Sequence, residues 1–495
     1  MREEPTQGLR QQGGSPGPNA PGGPTGCRQH DGYSTPCPNG ANEDRSDSLE
    51  RFSSRRIVSR GIKNEELKIK NLTTKFLIFN SSFLIPSTIA PERAGQRGVA
   101  RLWGGLLVLA LLLLIIPRAH AQQAGFQALD SLTQALAGQY RWAALDSVGR
   151  AALRLGTDYP ALRRRLGAAA LARERPAAAI DHYGRALREN PLDSAARYGL
   201  ALAYLGLNQI GPAALVARGL PAGQRRARHL NGFQLLAQVE LEANGQHPDT
   251  PHRGDAGFLR LGLGSRLSPH LSLNQNLSYF GQTVELPDPT RPGGNGGQYP
   301  IRQRQYHALL GVQLAPRWRA LLGYHFLHSD FGRLQTAPGQ LGYAALAYAR
   351  PYWTVQAGLF AGTITDTARL QADLRLTGYP LGSLRLYGFG RASVVHSGGR
   401  DFPNGVLGVG GRLGPRLWLE AYGGLGQVPV LAELDGTYVY NLLDPLRRRA
   451  GASLLILLPK QCVLRLGYGT EQRRDAVDGR TYGLNSLTTA LAWTW

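Results

Sequence analysis

Between residues 367 and 378, Ala368, Leu370, Ala372, Leu374 and Leu376 alternate with Arg369, Gln371, Asp373, Arg375 and Thr377. In an extended chain a period of two sends successive side chains to opposite faces, so this stretch has one apolar face and one charged face. The same alternation recurs over 352–363, 383–393 and 461–470. Each stretch is about eleven residues long, the length of a tilted strand that crosses a bilayer. A soluble β-sandwich needs a polar outer face, whereas here the outward candidates are apolar on nearly every strand.

Turn signals extend the pattern. Pro269, Pro316, Pro351, Pro380, Pro415 and Pro459 punctuate connections of only a few residues. Between those hairpins lie longer polar, Gly-rich stretches at 282–302, 329–339, 394–403, 427–445 and 471–483, with 363–366 as a short exception. Short turns on one side and long loops on the other is the asymmetry of an outer-membrane barrel, with the short turns periplasmic. Counting from Phe258 gives thirteen strands, an odd number that puts the long loops inside. Adding 233–244, where Val239, Leu241 and Ala243 alternate with Gln238, Glu240 and Glu242, gives fourteen and brings both ends of the barrel to the periplasm. Leu487, Thr489, Leu491, Trp493 and Trp495 share one face of the last strand, and an aromatic ending of this kind resembles the signal read by the bacterial barrel-insertion machinery.

Upstream, residues 102–116 form the one long apolar run, fifteen residues and so shorter than the roughly 20 a membrane-spanning helix needs. Arg93, Arg97 and Arg101 precede it, and Pro117 with Ala119-His120-Ala121 follows, which is the layout of a secretory signal peptide cut after Ala121. Residues 1–98 precede that signal and differ in composition, holding four of the five lysines. They are either an upstream reading frame that is not translated or a disordered extension. Cys27 and Cys37 fall in this leader, so the mature chain keeps Cys462 alone and forms no internal disulfide. The expected organisation is a leader (1–98), a signal peptide (99–121), a helical domain (122–230) and an outer-membrane barrel (231–495), an α + β arrangement.

In the helical domain, Ala144-Leu-Asp-Ser-Val-Gly-Arg-Ala151 recurs 35 residues later as Ala179-Ile-Asp-His-Tyr-Gly-Arg-Ala186. A second recurrence, of Leu166 and Ala170 at Leu200 and Tyr204, gives a period of 34, that of tetratricopeptide repeats. Leu166, Gly167, Ala170, Ala179, Tyr183, Ala186 and Pro191 resemble the pattern positions of that family, and Arg163 departs from it where a large apolar residue is usual. Small residues let two antiparallel helices approach, Tyr183 fills the space between them, and Pro191 ends the second helix. About three repeats are expected, near the minimum for a stable stack, so that the barrel serves as a cap. The domain is either a helical spacer or a docking surface.

With the apolar face towards lipid, the lumen carries Arg260, Arg266, Arg317, Arg319, Arg369, Arg375, Arg385, Arg391 and Arg465 against Glu240, Glu242, Asp373 and Glu420. The net positive interior favours anionic solutes, and Tyr387, Phe389 and Trp418 are placed to stack on sugar rings. The competing reading is a closed barrel whose interior charges pair with one another. Of 56 basic residues 51 are Arg, spread along the chain without aromatic interleaving, so the charge of +22 does not indicate nucleic-acid binding. His396-Ser397 in a long loop lacks a positioned carboxylate partner, His307, His325 and His328 have no metal-ligand spacing, and the glycine pairs 262/264, 388/390 and 408/410 complete no dinucleotide fingerprint. Neither an enzyme, nor a cofactor, nor a metal is expected.

Signal peptide, repeats and barrel in this order resemble the YaiO-type outer-membrane family and, more distantly, the repeat-plus-porin exporters of poly-N-acetylglucosamine and cellulose, over residues 122–495. The resemblance implies a periplasmic repeat surface that receives a protein or polymer partner, and a lumen that conducts surface polymer. The alternative is a structural outer-membrane anchor that displays the repeats. A less favoured one is a lipid-modifying enzyme.

Overall fold

The computed structural model describes residues 125–495, apart from 231, 287–296, 333, 336–337 and 441–443. The leader, the signal peptide and its cleavage positions Ala119 and Ala121 lie outside the described residues. Seven helices precede a closed barrel among the described residues: α1 (125–138), α2 (Trp142–Arg154), α3 (Pro160–Ala172), α4 (Pro176–Glu189), α5 (Ser194–Gly206), α6 (Ile210–Ala217) and α7 (Ala222–Ala227). Pro160 and Pro176 open α3 and α4 at the first turn, where a missing N–H costs nothing, and the Asp193 side chain caps α5 by accepting from Ala196 N at 2.9 Å.

Packing of the helices turns on Tyr183. A Cβ at Gly167 or Gly199 would come within 2.8 or 2.2 Å of its ring, so the glycines on α3 and α5 make room for one aromatic from α4. Ala179 and Ala186 are fully buried in the same cluster, and Leu166 in a neighbouring one with Ala152 and Leu162. Arg163, the unusual pattern position, is buried too, and donates to Asp158 through Nε at 2.6 Å and Nη2 at 2.5 Å and to His182 Nδ1 at 3.2 Å. Burial and the Arg163 guanidinium push His182 down to about 4, so the ring stays a neutral acceptor.

The barrel follows as β1 (Gln234–Pro248), β2 (Arg253–Arg266), β3 (Leu271–Leu286), β4 (Gly297–Ala315), β5 (Trp318–Phe331), β6 (Gly339–Arg350), β7 (Trp353–Ile364), β8 (Thr367–Gly378), β9 (Leu386–Ser397), β10 (Arg400–Gly414), β11 (Leu417–Val428), β12 (Leu446–Leu458), β13 (Cys462–Arg474) and β14 (Thr481–Thr494). Each strand is antiparallel to its chain neighbours, and β14 pairs with β1 from Gln238↔Thr494 to Pro248↔Leu484, so the fourteen strands form a ring with no free edge. Leu259, Leu322, Leu374, Leu407 and Leu487 stand exposed on the outside while Arg260, Gln371 and His325 are buried within. A surface of leucines round a closed ring is solvated by hydrocarbon, and the barrel is of the outer-membrane type.

The six prolines all fall in the short connections at one end. Several of the expected boundaries move: strands extend into the loops expected at 282–302, 329–339 and 471–483, and two changes are larger. The stretch 394–403 is strand except for a tight turn at Gly398-Gly399, whose φ values of 57° and 73° suit the two positive-φ positions of a hairpin turn. Residues 383–385 leave β9 and belong to the 379–385 connection, where the Trp418 indole donates to Leu384 O at 3.2 Å.

The helical domain is fastened to the short-turn end. Ala177 N donates to Gly382 O at 3.0 Å, Arg412 meets the Glu174 carboxylate at 2.5 Å, Arg218 donates to His270 Nε2 at 2.8 Å, and Gly211 sits against the Gln313 side chain. These partners form two groups on the rim, His270 with Gln313 and the 379–385 connection with Arg412, so the helical stack rests on the barrel end at two places. Replacing Tyr183 with Ala is expected to cost the helical domain about 3–5 kcal/mol, read as a lower melting temperature of the helical circular-dichroism signal with the barrel signal unchanged. The hydrogen bond from Arg163 holds Asp158 below its ordinary carboxylate value. Its contribution is therefore present above the unfolded carboxylate pKa and lost as pH falls through the lowered one, while His182, neutral down to about 4 in the fold but protonated near 6.5 once unfolded, costs stability between those values; the helical melting temperature should fall as pH drops below about 6.5 and continue to fall below about pH 4.

Candidate functional site

The long connection between β11 and β12 turns inward. Residues Leu431–Glu433 and Tyr438–Tyr440 pair as a small antiparallel hairpin around the turn Leu434–Gly436, and this hairpin lies inside the barrel. The expectation of an external loop over 427–445 is corrected here, and the cause is visible on the wall. Leu309, Leu321, Leu327, Leu341, Phe360 and Ile364 of β4–β7 form an apolar patch on the lumen side, and Val430, Ala432 and Val439 cover it. Burying each valine is worth roughly 1.5–3 kcal/mol.

Polar contacts then fix the hairpin in register. Gln371 donates to Ala432 O at 2.7 Å and accepts from Ala432 N at 3.1 Å, so a side chain extends the hairpin's own ladder. Glu433 takes Arg391 Nη1 at 2.7 Å and both terminal nitrogens of Arg449, and Arg391 also holds Asp373 at 2.6 Å. At the tip, His307 Nε2 donates to Asp435 O at 3.0 Å and His325 Nδ1 to Gly436 O at 2.7 Å, while Tyr343 and Gln356 donate to the Asp435 carboxylate at 2.9 and 2.6 Å. Asn276 donates to His307 Nδ1 at 3.1 Å and thereby sets the tautomer. Gly436 has φ 89°, and a Cβ there would press on His307 and Phe360 at 3.3 Å, so only glycine fits. On the other side of the hairpin Tyr438 donates to Glu242 at 2.5 Å. As the chain climbs back, Asp444 takes two bonds from Arg253 at 2.8 Å and one from Tyr482 at 2.8 Å.

The charged residues marked in the sequence divide into two groups. Arg260, Arg369, Arg375, Arg391, Arg465, Asp373 and Glu420 face inward: Arg260 bonds Glu240 and Glu242, Arg465 reaches Glu242 at 2.9 Å, Arg375 lies 3.5 Å from Asp435, Arg369 donates to Ser397 Oγ at 2.9 Å, and Glu420 accepts from Tyr387 at 2.8 Å. Arg319 donates to Ser272 and Arg266 to His229 O near the short-turn rim. Arg317 and Arg385 do not line the lumen, because the strands begin only at Trp318 and Leu386. Arg317 is exposed in a turn, and Arg385 points to Glu174 of the helical domain at 3.8 Å. Glu433, Arg449, Tyr438, His307 and His325 had no sequence signal of their own. The available hint was the run of apolar residues on the lumen face of β4–β7, where charged ones were expected.

A cavity of about 500 Å³ remains beside the hairpin. Its lining extends from Gln246, Glu471 and Ser486 towards the long-loop rim to Thr377, Tyr387 and Glu420 near the short turns. It contains four carboxylates, Glu242, Glu420, Glu433 and Glu471, against four guanidiniums, Arg375, Arg391, Arg449 and Arg465. The positive excess therefore cancels along the cavity lining. Three rings lie against glycines of the neighbouring strand: a Cβ at Gly408 would come within 2.2 Å of Phe389, one at Gly410 within 2.2 Å of Tyr387, and one at Gly451 within 2.8 Å of Tyr422. The missing side chains let the rings lie back against the neighbouring strand.

His396 pairs with Asp401 at 2.8 Å on an exposed face, whereas Ser397 is buried on the opposite face beneath Arg369, so serine and histidine do not meet. His328 is exposed on the outside. His252, Asp475 and Asp478 cluster at the long-loop end, but Asp475 already accepts from His252, Arg253, Thr250 and Val477 N.

No protein-family model matches the chain, and no curated protein matches it in sequence. Among solved structures, it is similar to the Pseudomonas putida toluene transporter TodX, at 8% identity over 52% of this chain and 88% of that one, with a TM-score of 0.36. It is also similar to the Acinetobacter baumannii outer membrane protein Omp33, at 10% identity over 53% and 99% with a TM-score of 0.32. A third is described as a bacterial polysaccharide outer membrane secretin, at 11% identity over 53% and 99% with a TM-score of 0.34.

Removing the carboxylate shared by two buried arginines is expected to cost about 3–5 kcal/mol at the hairpin. In a Cys462→Ser background, a cysteine placed at Ala432 should react with a water-soluble maleimide at least tenfold faster when Glu433 is replaced by Ala; equal rates would mean that the carboxylate does not hold the hairpin.

Proposed function

We propose that the protein is a narrow channel of the bacterial outer membrane, narrowed by its own hairpin, with the helical domain in the periplasm as a tetratricopeptide-type docking surface. The observation that carries this reading is the cavity beside the hairpin, lined from β8 round to β4 by way of β14 and β1. Its lining suits a polyhydroxylated solute. The rings of Tyr387, Phe389 and Tyr422 offer flat faces, while Asn244, Gln246, Ser453, Ser486 and Thr488 offer hydroxyls and amides. A surface polysaccharide combines both requirements, which supports a part in polymer export, and the bore beside the hairpin admits an extended chain more readily than a folded one. Arg375 and Arg465 have carboxylate partners too, Asp435 at 3.5 Å and Glu242 at 2.9 Å, but keep side-chain exposures of 28% and 31%, whereas Arg391 and Arg449 keep 8% and 6%; a modest anion preference rests on the more exposed pair. The reading contains no catalytic step.

A second reading, an outer-membrane anchor that displays the helical domain, is favoured by the fastening of that domain to the short-turn end. Planar-bilayer recording separates the two. The channel reading expects a small conductance that rises severalfold when residues 430–440 are replaced by a short glycine linker, and a modest anion preference that falls when Arg375 and Arg465 both become Gln. Folded protein that conducts in neither form would leave the anchor.

A further inference from the structure

From residue 194 to residue 239 the chain has no acidic side chain, and within that span Arg218, Arg225, Arg226 and Arg228 fall inside eleven residues. Arg225 and Arg226 belong to α7 and Arg228 caps it. Their contacts leave the charge uncompensated: Arg218 donates to His270 Nε2 at 2.8 Å, Arg225 to Arg218 O at 3.1 Å, and Arg228 to Tyr198 Oη at 3.0 Å. Among the described residues no carboxylate forms an ion pair with any of the four.

This segment is held at the barrel's rim. Arg266 donates to His229 O at 2.5 Å, Gln461 donates to His229 Nε2 at 2.8 Å, and Gly232 packs against Pro269. Immediately beyond it Phe233 and Leu235 stand 66% and 70% exposed, beside the exposed Trp495, whose N–H bonds Ala237 O. Apolar and aromatic residues at the end of a lipid-facing wall mark the level of the membrane interface. Arg228 adjoins His229, which Arg266 and Gln461 hold at the rim, and Arg218 bonds His270 of the β2–β3 turn, so the cluster sits at this end of the wall. The guanidiniums thus lie within reach of the headgroup layer, and each presents paired N–H donors suited to a phosphodiester.

We propose that Arg218, Arg225, Arg226 and Arg228 form a binding site for the anionic phospholipid headgroups of the leaflet that faces the helical domain. The exposed Phe233, Leu235 and Trp495 favour a lipid over a soluble anion, because they supply the apolar surface that acyl chains cover and a phosphate in solution does not. The site is independent of conduction: it needs only the barrel in its membrane. Bound lipid would fix the link between helical domain and barrel from the membrane side.

Native mass spectrometry of the full chain, released from detergent after exposure to equal amounts of phosphatidylglycerol and phosphatidylcholine, tests the proposal. The parent protein should retain at least fivefold more of the anionic lipid. The triple change Arg225→Ala, Arg226→Ala, Arg228→Ala should abolish that preference, and the triple change to Lys should restore most of it, with heat-modifiable gel mobility confirming a folded barrel in each. Soluble glycerol phosphate in excess should leave the bound lipid in place. Equal retention by parent and Ala variant, full displacement by glycerol phosphate, or displacement by dextran sulfate in a protein with no lipid preference would each overturn it, the last in favour of an acidic polymer.

Discussion

Hydrocarbon offers no partner to a peptide group, so a sheet placed there must leave no edge. In this chain the requirement is met by the register between β1 and β14, eleven residue pairs from Gln238↔Thr494 to Pro248↔Leu484. That seam joins residues separated by more than two hundred positions. Everything inside follows from it: once the ring is closed, alternation sends leucines to lipid and arginines to a common interior, where a low local dielectric obliges each charge to find a partner. Glu242 with Arg260, Arg465 and Tyr438, and Glu433 with Arg391 and Arg449, are the outcome.

The interior is also asymmetric. One arc, β4–β7, carries apolar side chains inward and is covered by the hairpin; the rest of the interior carries rings, hydroxyls and paired charges and lines the cavity. The hairpin is tethered at both ends to β11 and β12, which pair with each other, and rests on β4–β7, so its loss of entropy on folding inward is limited by the short span between its two ends. Its contacts combine backbone ladder, apolar cover and ion pairs, and no one of these is confined to a single strand.

Much of this architecture was legible in the sequence, because strand alternation and proline-marked turns are local signals. The stretch 367–378 shows both faces of the wall, and the pairing of parity with loop length indicated the additional strand at 233–244 that becomes β1. Gly167 and Tyr183, which pack the helices, were legible for the same reason, whereas Gly199, the second glycine against the ring, was not marked. What could not be read was contact between distant segments. Alternation assigns a side of the wall, but not a partner, so the inward arginines were visible while Glu433 was not. Arg317 and Arg385 show the related limit at strand ends, where a shift of one or two residues moves a side chain from wall to turn. Gly398-Gly399 shows it again, since a glycine pair serves equally in a loose loop or a two-residue hairpin.

The rings of Phe389, Tyr387 and Tyr422 occupy the space that side chains at Gly408, Gly410 and Gly451 would otherwise fill. The clear width of the interior is therefore set by atoms that are missing. A single methyl group at any of these three positions would push a ring towards the axis and constrict the passage, without disturbing a hydrogen bond of the sheet, so calibre and fold can drift apart under mutation.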